Sequence, residues 1–305
     1  MENNSEKELH IQWYPGHMTK TRRMLEENLK LVDAVCEVLD ARIPISSRNP
    51  DIDVLLGAKP RMIVLNRADM ADPAGIKSWS AYFRAHGYAV LATDCKSRSG
   101  ISRFVPTVRA LLVEKLQRYA EKGQTGRPLK IMIVGIPNVG KSTLINQISG
   151  KKGAKAENRP GVTRGKQWVS VDQGLLLLDT PGILWPKFDD TETGMRLAYT
   201  GAVKDDVIDV ESLACHLAKL LWSRYPNALR ARYKIDLSES AEGYEILEAA
   251  GKKRGFLISG GEIDTERMAK VLLDEYRSCA LGRFTLEYPE NGEKNDSIKT
   301  GSVEI

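Results

Sequence analysis

The chain has 305 residues, about the length of two domains, and 42% of them are hydrophobic and 28% charged, as in folded globular proteins. Its apolar runs are only a strand long and its first ten residues are polar, so we expect neither a membrane partner nor a secretory signal peptide. Four scattered cysteines without a CxxC pair favour reduced thiols and a cytoplasmic location over disulfides or a zinc site.

The formal net charge of +5 is unevenly spread, since residues 1–186 are basic and residues 187–290 are slightly acidic. This distribution indicates a face that attracts polyanions. A solvated surface without a partner explains the charge equally well, so charge alone leaves both interpretations open.

Short apolar runs alternate with helix-like stretches over the first 186 residues, a pattern typical of a mostly parallel sheet wound by helices. The predicted strands cover residues 34–39, 62–65, 89–92, 130–134, 167–171 and 175–178. The predicted helices between them cover about 17–30, 74–86, 101–121 and 141–149. Beyond residue 186 the spacing of Leu, Ala, Ile and Met is helical over 191–222, 239–252 and 262–281.

The change of pattern near residue 186 predicts two domains and a tail. We expect an α/β domain over residues 11–186, a small all-helical domain over 187–290, and a polar, disordered tail over 291–305. Residues 122–129 are rich in Gly and Pro and are predicted to form a connecting loop inside the first domain.

Residues 135–142 match the phosphate-binding pattern GxxxxGK[ST] between a predicted strand and a predicted helix. Glycines let backbone N–H groups surround the phosphates, the lysine reaches the β- and γ-phosphate oxygens, and the serine hydroxyl can ligate Mg²⁺. A plain glycine turn into a helix is the alternative, and the strand–loop–helix context makes it the weaker one. The predicted nucleotide-binding residues here are Asn138, Val139, Gly140, Lys141, Ser142 and Thr143.

A second phosphate-side motif, Asp179-Thr-Pro-Gly182, follows the sixth predicted strand. Downstream of a P-loop, Asp179 is expected to hold the Mg²⁺ shell and the Gly182 amide to sense the γ-phosphate. Between the two motifs, Thr163 lies in a strongly basic loop and carries a hydroxyl that can close on Mg²⁺. The predicted metal ligands are Ser142, Thr163 and Asp179, and the predicted catalytic residues include Lys141 and Thr163.

The second predicted strand ends in Asn66-Arg-Ala-Asp69, which is close to the NKxD motif that selects guanine. A carboxylate at Asp69 can accept from the guanine N1–H and 2-amino groups, whereas adenine would leave it unpaired. Cys95 and Lys96 follow the next strand, where a backbone N–H can meet guanine O6. Arg67 replaces the usual lysine, and although it can also stack on the base, the two residues are not equivalent. NRAD alone also fits an ordinary loop at a strand end.

These motifs occur in an unusual order, because the base-reading residues precede the P-loop and Asp179-Thr-Pro-Gly182. An ordinary GTPase has the reverse block order. Six predicted strands can still form a complete sheet, so the fold class is a circularly permuted P-loop GTPase domain with a six-stranded, mostly parallel sheet and helices on both faces, followed by a small all-helical domain. The chain then runs from the DxxG motif directly into the helical part.

The motifs together resemble one protein family. They are Trp-Tyr-Pro-Gly-His-Met at 13–18, Val-Asp-Ala-Val at 32–35, Asp-Ala-Arg-Ile-Pro at 40–44, NRAD, GIPNVGKST, RPGVTR and DTPGIL, in that order. Over nearly the whole chain the sequence resembles the bacterial ribosome biogenesis GTPase A family. The resemblance implies a GTPase that takes GTP/GDP and Mg²⁺, binds the large ribosomal subunit precursor and its rRNA, promotes late maturation, and leaves on hydrolysis. We expect it to act as a cytoplasmic monomer.

The family pattern also implies a source of catalysis. Residue 183, directly after DxxG, is Ile and cannot orient water as a glutamine would. The resemblance assigns this role to His17, which without it would be interpreted as a hydrogen-bonded loop residue. Asn138 resembles P-loop asparagines of GTPases that use K⁺ beside the phosphates, so K⁺ is a further hypothesis.

The helical part carries basic residues that could face RNA phosphates, with aromatic residues nearby that could stack on bases. A solvated helix face and ordinary core aromatics are the alternatives. The residues that could face RNA are Arg224, Arg230, Arg232, Lys234, Lys252, Lys253 and Arg254, with Tyr225, Tyr233 and Phe256.

Two other functions stay open for the whole protein. One is a P-loop ATPase or kinase, which needs a different base reader, and the other is a nucleotide-binding RNA adaptor with little turnover.

Overall fold

One six-stranded sheet organises the α/β part of the protein. The computed structural model describes residues 18–150, 167–171, 174–180, 191–203, 205 and 208–289. Its strands are β1 (Ala34–Asp40), β2 (Arg61–Asn66), β3 (Ala89–Thr93), β4 (Leu129–Val134), β5 (Gln167–Val171) and β6 (Leu175–Asp179). Each predicted strand is confirmed to within one residue at either end.

The strand order β3-β2-β1-β4-β6-β5 confirms the permuted fold. All neighbouring pairs are parallel except β5 and β6, which are antiparallel. The P-loop strand β4 lies in the middle of the sheet beside β1, although about ninety residues separate them in the chain. β1 and β2 are buried along their whole length, which explains their aliphatic sequences without polar alternation.

Helices cover both faces of the sheet. One face carries α1, α2 and α3, whose apolar side chains meet Val35 and Leu39 of β1. The other face carries α4 and α6, whose Phe104 and Leu144 belong to one core with Cys36. Alternate side chains of β1 thus serve opposite faces. The helices of this part are α1 (Met18–Leu29), α2 (Asp51–Leu56), α3 (Pro73–Ala85), α4 (Phe104–Leu111), α5 (Val113–Glu121) and α6 (Lys141–Ser149).

Beyond β6 the described residues are helical. α8 lies at the centre of this part and packs against α10 and α11. The described residues from 191 onward form no strand and only one isolated bridge, between Leu257 and Ile263. No described helix is both long and apolar enough to cross a bilayer. The helices are α7 (Thr191–Tyr199), α8 (Val210–Arg224), α9 (Pro226–Tyr233), α10 (Gly243–Arg254) and α11 (Thr265–Arg277).

Some predicted helices differ from those in the structure. The single helix predicted over 101–121 is wrong, because a 3₁₀ turn at Ile101–Arg103 and a non-helical Leu112 divide the segment. The helix predicted over 191–222 is likewise two helices, α7 and α8. α2 and α9 were not predicted, since six and eight residues are too few to show a helical period.

After α11 the chain returns to the α/β part as an extended segment, residues 284–288, which we call the C-terminal strap. The Phe284 amide donates to the Met70 carbonyl at 3.0 Å, and the Leu286 amide donates to the Arg42 carbonyl at 2.8 Å. The Trp79 indole donates to the Glu287 carbonyl at 2.8 Å. The helical part is therefore hydrogen-bonded to the α/β part beside the Asn66–Asp69 loop.

Candidate nucleotide-binding site

The P-loop connects β4 to α6 and is shaped by residues with positive φ. Asn138 and Gly140 have φ of 59° and 95°, a region in which glycine is unstrained. A Cβ atom at Gly140 would lie 2.4 Å from the Asn66 amide nitrogen. Two features therefore require glycine at this position. They are its positive φ and the close approach of residues 66–69, which we call the base loop.

The P-loop lysine is held by the loop itself. Lys141 Nζ donates to the carbonyl oxygens of Gly135 at 3.0 Å and Ile136 at 2.8 Å. Burial lowers the pKa of Lys141 to about 8, and the nearby Asp179 carboxylate opposes this only in part. The ammonium group thus lies in a site that lacks a full counter-charge, which phosphate oxygens would provide.

Asp179 and Ser142 form a pair suited to a divalent cation. The Ser142 hydroxyl donates to Asp179 Oδ2 at 3.1 Å. Asp179 Oδ1 is buried without a hydrogen-bond partner among the described residues. Burial raises the pKa of Asp179, although Lys141 and the Ser142 hydroxyl act in the opposite direction. A hydroxyl and an unpartnered carboxylate oxygen are hard ligands of the kind that Mg²⁺ prefers, so the residues present fit that ion.

Asn66 joins the base loop to the P-loop. Its amide nitrogen donates to the Val139 carbonyl at 2.7 Å. Its amide oxygen accepts from the Thr93 hydroxyl at 3.0 Å and from the Cys95 thiol at 3.3 Å. The first residue of NRAD therefore connects two loops more than seventy residues apart, and both its amide nitrogen and its amide oxygen bond protein groups.

Asp69, the predicted guanine reader, lies on the loop after Asn66. Partial burial and the neighbouring Asp94 carboxylate raise the pKa of Asp69. Asp94 in turn accepts from the backbone N–H groups of Lys96 at 2.7 Å and Ser97 at 3.1 Å, which fixes the turn where a guanine O6 contact is predicted. The structure thus brings the two predicted base-reading segments together.

The contacts of Arg67 were not predicted from the sequence. Its φ is 58°, its Nη2 donates to the Asn138 carbonyl at 2.5 Å, and its Nη1 lies 3.7 Å from Asp40 Oδ2. The guanidinium group therefore connects the base loop, the P-loop and the end of β1. A lysine has a single donor group and could not make both contacts in this geometry.

A buried charge cluster behind this loop was not predicted from the sequence. Arg42 donates from Nε and Nη2 to Asp40 at 2.9 and 2.7 Å, and its guanidinium lies 5.2 Å from the ring centre of Tyr276 on α11. A second contact with the helical part runs from the Asn138 amide to the Gly201 carbonyl, at 2.9 Å. The Asp-Ala-Arg-Ile-Pro motif at 40–44 was the sequence signal for the first of these contacts.

Three predicted site residues lie outside the described residues. They are His17, Thr163 and Gly182, and the basic loop around Thr163 lies there too. Their predicted roles stay predictions. Thr143 lies in the described part, in the first turn of α6 directly after Ser142.

The seven basic residues predicted to face RNA divide into four arginines that contact other protein groups and three lysines. Arg230 lies 3.7 Å from Asp236 and 5.0 Å from the ring centre of Trp222. Arg232 and Arg254 both pair with Glu275, at 2.5 and 2.8 Å, and Arg224 donates to the Leu286 carbonyl. Tyr233 is 2% exposed, so it belongs to the core and cannot stack on RNA. Three lysines are exposed and make no ion pair with other described residues: Lys234, Lys252 and Lys253.

A P-loop lysine, a serine–aspartate pair and an NxxD loop meeting on a permuted six-stranded sheet define a circularly permuted P-loop GTPase. Residues 130–233 match the family model described as 50S ribosome-binding GTPase. The chain is 45% identical to Ribosome biogenesis GTPase A of Bacillus cereus over 291 residues, 95% of this chain and 98% of that protein.

Two solved structures are similar to the chain at 29% sequence identity. GNP-bound YlqF from T. maritima has a TM-score of 0.60 and covers 89% of this chain and 99% of its own; the GDP-bound structure of TM YlqF has a TM-score of 0.58 and covers 88% and 100%. The chain therefore belongs to the ribosome biogenesis GTPase A family, whose guanine-nucleotide site it carries.

Proposed function

We propose that this protein hydrolyses GTP while it assists late maturation of the large ribosomal subunit, and that hydrolysis releases it from the precursor. The observation that carries the proposal is the contact between the base loop and the P-loop. Asn66 and Arg67 both bond the P-loop backbone, so Asp69 and Lys141 belong to one continuous site that a single nucleotide can span.

Guanine is the base that this site suits. Asp69 offers a carboxylate to the N1–H and 2-amino groups, and an adenine would leave that carboxylate without a donor. Asp69→Asn should shift preference from GTP to XTP, because xanthine presents an acceptor where guanine presents its amino group. A variant that still prefers GTP would show that Asp69 does not read the base.

The phosphate side has separate roles for its residues. Ser142, Thr163 and Asp179 would hold Mg²⁺, which supplies charge neutralisation for the phosphates when bound. Lys141 places an ammonium group against the phosphate oxygens, and the Gly182 amide would sense the γ-phosphate.

K⁺ is proposed as a second cation at Asn138. The Asn138 amide nitrogen donates to Gly201, which leaves its oxygen available to an ion. Hydrolysis rates measured in K⁺ and in Na⁺ test this assignment. We expect faster turnover in K⁺, and equal rates would remove it.

His17 is proposed to orient the attacking water, since residue 183 is Ile. His17→Ala should lower ribosome-stimulated hydrolysis far more than GTP affinity. Single-turnover rates equal to those of the unmodified protein would contradict this role.

The partner is proposed to be the large ribosomal subunit precursor and its rRNA, and the protein is proposed to act in the cytoplasm as a monomer. The names of its relatives support a ribosomal partner. Division into an α/β domain over 11–186 and a helical domain over 187–290 remains our proposal for the domain boundaries. On the helical part, Lys234, Lys252 and Lys253 are the predicted cations left for RNA phosphates. Arg232 and Arg254 pair with Glu275, Arg224 bonds the strap, and Arg230 lies 3.7 Å from Asp236.

The test is GTP hydrolysis measured with and without isolated large subunits, together with binding to them in each nucleotide state. We expect stimulated hydrolysis and tighter binding with a non-hydrolysable GTP analogue than with GDP. Binding without stimulation would instead support an RNA adaptor with little turnover.

A further inference from the structure

The C-terminal strap, residues 284–288, lies directly behind the base loop. The Asp72 amide donates to the Thr285 hydroxyl at 3.2 Å, and the Phe284 amide donates to the Met70 carbonyl at 3.0 Å. The Tyr288 hydroxyl donates to the Asp72 carboxylate at 2.7 Å. The backbone that immediately follows Asp69 is thus held by residues more than two hundred positions away in the chain.

Thr285 fits this place closely. Its side chain is fully buried, and a Cβ atom on Gly75 of α3 would lie 2.3 Å from its hydroxyl oxygen. Glycine at 75 therefore makes room for the strap at the start of α3. Such a close fit transmits displacement of the strap to the base loop, because packed interiors are stiff.

The other side of the strap is bonded to the helical part. The Thr285 carbonyl accepts from the Tyr225 hydroxyl at 2.9 Å, and the Phe284 ring contacts the Tyr225 ring with centres 4.9 Å apart. Phe284 also stacks with Tyr276, at 6.1 Å between ring centres. Phe284 and Thr285 therefore join the base-loop side to Tyr225, the residue between α8 and α9, and Phe284 also joins it to Tyr276 of α11.

The far end of the strap is anchored by Glu287. Its carboxylate accepts from the Ser46 amide at 3.0 Å and the Ser46 hydroxyl at 2.6 Å, as well as from the Ile45 amide. Arg196 of α7 lies 3.4 Å from the same carboxylate. These bonds fix the strap at both domains, so that it cannot move independently of either.

We propose that the C-terminal strap positions the guanine-reading loop, with Thr285 as its positioning residue. The affinity for guanine nucleotides then depends on the position of the helical part relative to the α/β part. The inference rests on the proposed role of Asp69 as the guanine reader. A partner that shifts the helical part should therefore weaken nucleotide binding. Because such coupling is reciprocal, a bound nucleotide should stabilise the contact between the strap and the α/β part.

The test is Thr285→Val, which keeps the shape of the side chain but removes the oxygen that accepts from Asp72. The affinity of this variant is measured for GDP and for IDP. IDP lacks the 2-amino group that donates a hydrogen bond to Asp69 in the proposed complex. A displaced base loop should weaken GDP binding about three- to tenfold, the effect of one lost buried hydrogen bond. IDP binding should weaken less, because IDP keeps the N1–H contact with Asp69 but has no 2-amino contact to lose. Thr107→Val is the control, since the Thr107 hydroxyl donates to the carbonyl of Arg103, the residue just before α4, away from the strap.

The GDP-to-IDP affinity ratio separates positioning from general loss of structure. A fall in this ratio in Thr285→Val, with the ratio unchanged in Thr107→Val, supports the inference. An unchanged ratio overturns it, whether both affinities are retained or fall together. If Thr285→Val does not fold, Tyr288→Phe serves instead, because Tyr288 is exposed and the variant removes the hydroxyl that donates to Asp72 at 2.7 Å and lies 3.4 Å from the Tyr225 hydroxyl. Both contacts belong to the strap, and the same fall or constancy of the ratio decides.

Asp69→Asn distinguishes failure of this inference from failure of the proposed function. If Asp69→Asn does not gain XTP preference, the guanine-reading role itself is wrong. If it does gain that preference and Thr285→Val leaves the GDP-to-IDP ratio unchanged, only the strap inference is wrong.

Discussion

Lys141 makes nucleotide binding sensitive to pH in the neutral to mildly alkaline range. Its Nζ atom is buried against the carbonyls of Gly135 and Ile136, and burial lowers its pKa to about 8. The phosphates of a bound nucleotide provide the counter-charge that the free loop lacks, so the pKa of Lys141 rises in the complex. Binding therefore requires the protonated lysine.

The sign and size of the effect follow from this pKa. Affinity has its full value well below pH 8 and is lost as the pH rises through the pKa of the free protein. Between pH 7 and pH 8.5 the Kd for GDP should rise roughly fourfold, and at pH 8 binding should take up about half a proton. Over this interval the GDP phosphates are already mostly ionised and guanine mostly keeps its N1 proton, so Lys141 makes the main contribution to the change.

Titration calorimetry at pH 8 in Tris and in HEPES measures the proton uptake, because the two buffers differ in ionisation enthalpy. Lys141→Arg is the matched control, since arginine stays charged throughout and should show no uptake. Equal binding enthalpies in the two buffers, with an affinity that is constant from pH 7 to pH 8.5, would show that Lys141 is not partly deprotonated in the free protein.

Three further changes have defined outcomes. Gly140→Ala should raise the Kd for GDP about tenfold or more. The positive φ alone costs a residue with a Cβ about 1–3 kcal/mol, and the new Cβ would contact the base loop. Gly126→Ala is the control for binding, because Gly126 has a similar φ and no neighbour within 4 Å. Arg67→Lys should weaken GDP binding about two- to tenfold in a fluorescence titration, through loss of its bond to the P-loop backbone. Arg42→Met should lower the free energy of unfolding in urea by about 3–5 kcal/mol, since it leaves Asp40 charged and buried; a loss below about 1 kcal/mol would show that the pair is not needed.

The sheet could be predicted from the sequence because its strands are continuous aliphatic runs ended by motif residues. β1 and β4 are examples: β1 is buried and ends on Asp40 of the Asp-Ala-Arg-Ile-Pro motif, and β4 is mostly buried and is followed by Gly135, the first residue of the P-loop. The helices were less predictable. A single non-helical residue, Leu112, separates α4 from α5 without any glycine or proline beside it.

The site could be predicted only in part, because motifs identify residue types and not their partners. The sequence indicated Asn66 as part of a base-reading motif, whereas the structure shows that its amide is engaged by the P-loop and β3. The contacts of Arg67 and the strap depend on residues far apart in the chain. No local pattern could connect Thr285 with Asp72.

We propose that one guanine-specific site responds to the large ribosomal subunit. The most direct measurement is hydrolysis of GTP and of XTP by the unmodified protein and by Asp69→Asn, each with and without large ribosomal subunits. We expect subunits to stimulate GTP hydrolysis by the unmodified protein and XTP hydrolysis by Asp69→Asn. Stimulated GTP hydrolysis that persists in Asp69→Asn, or no stimulation of either protein, would contradict it.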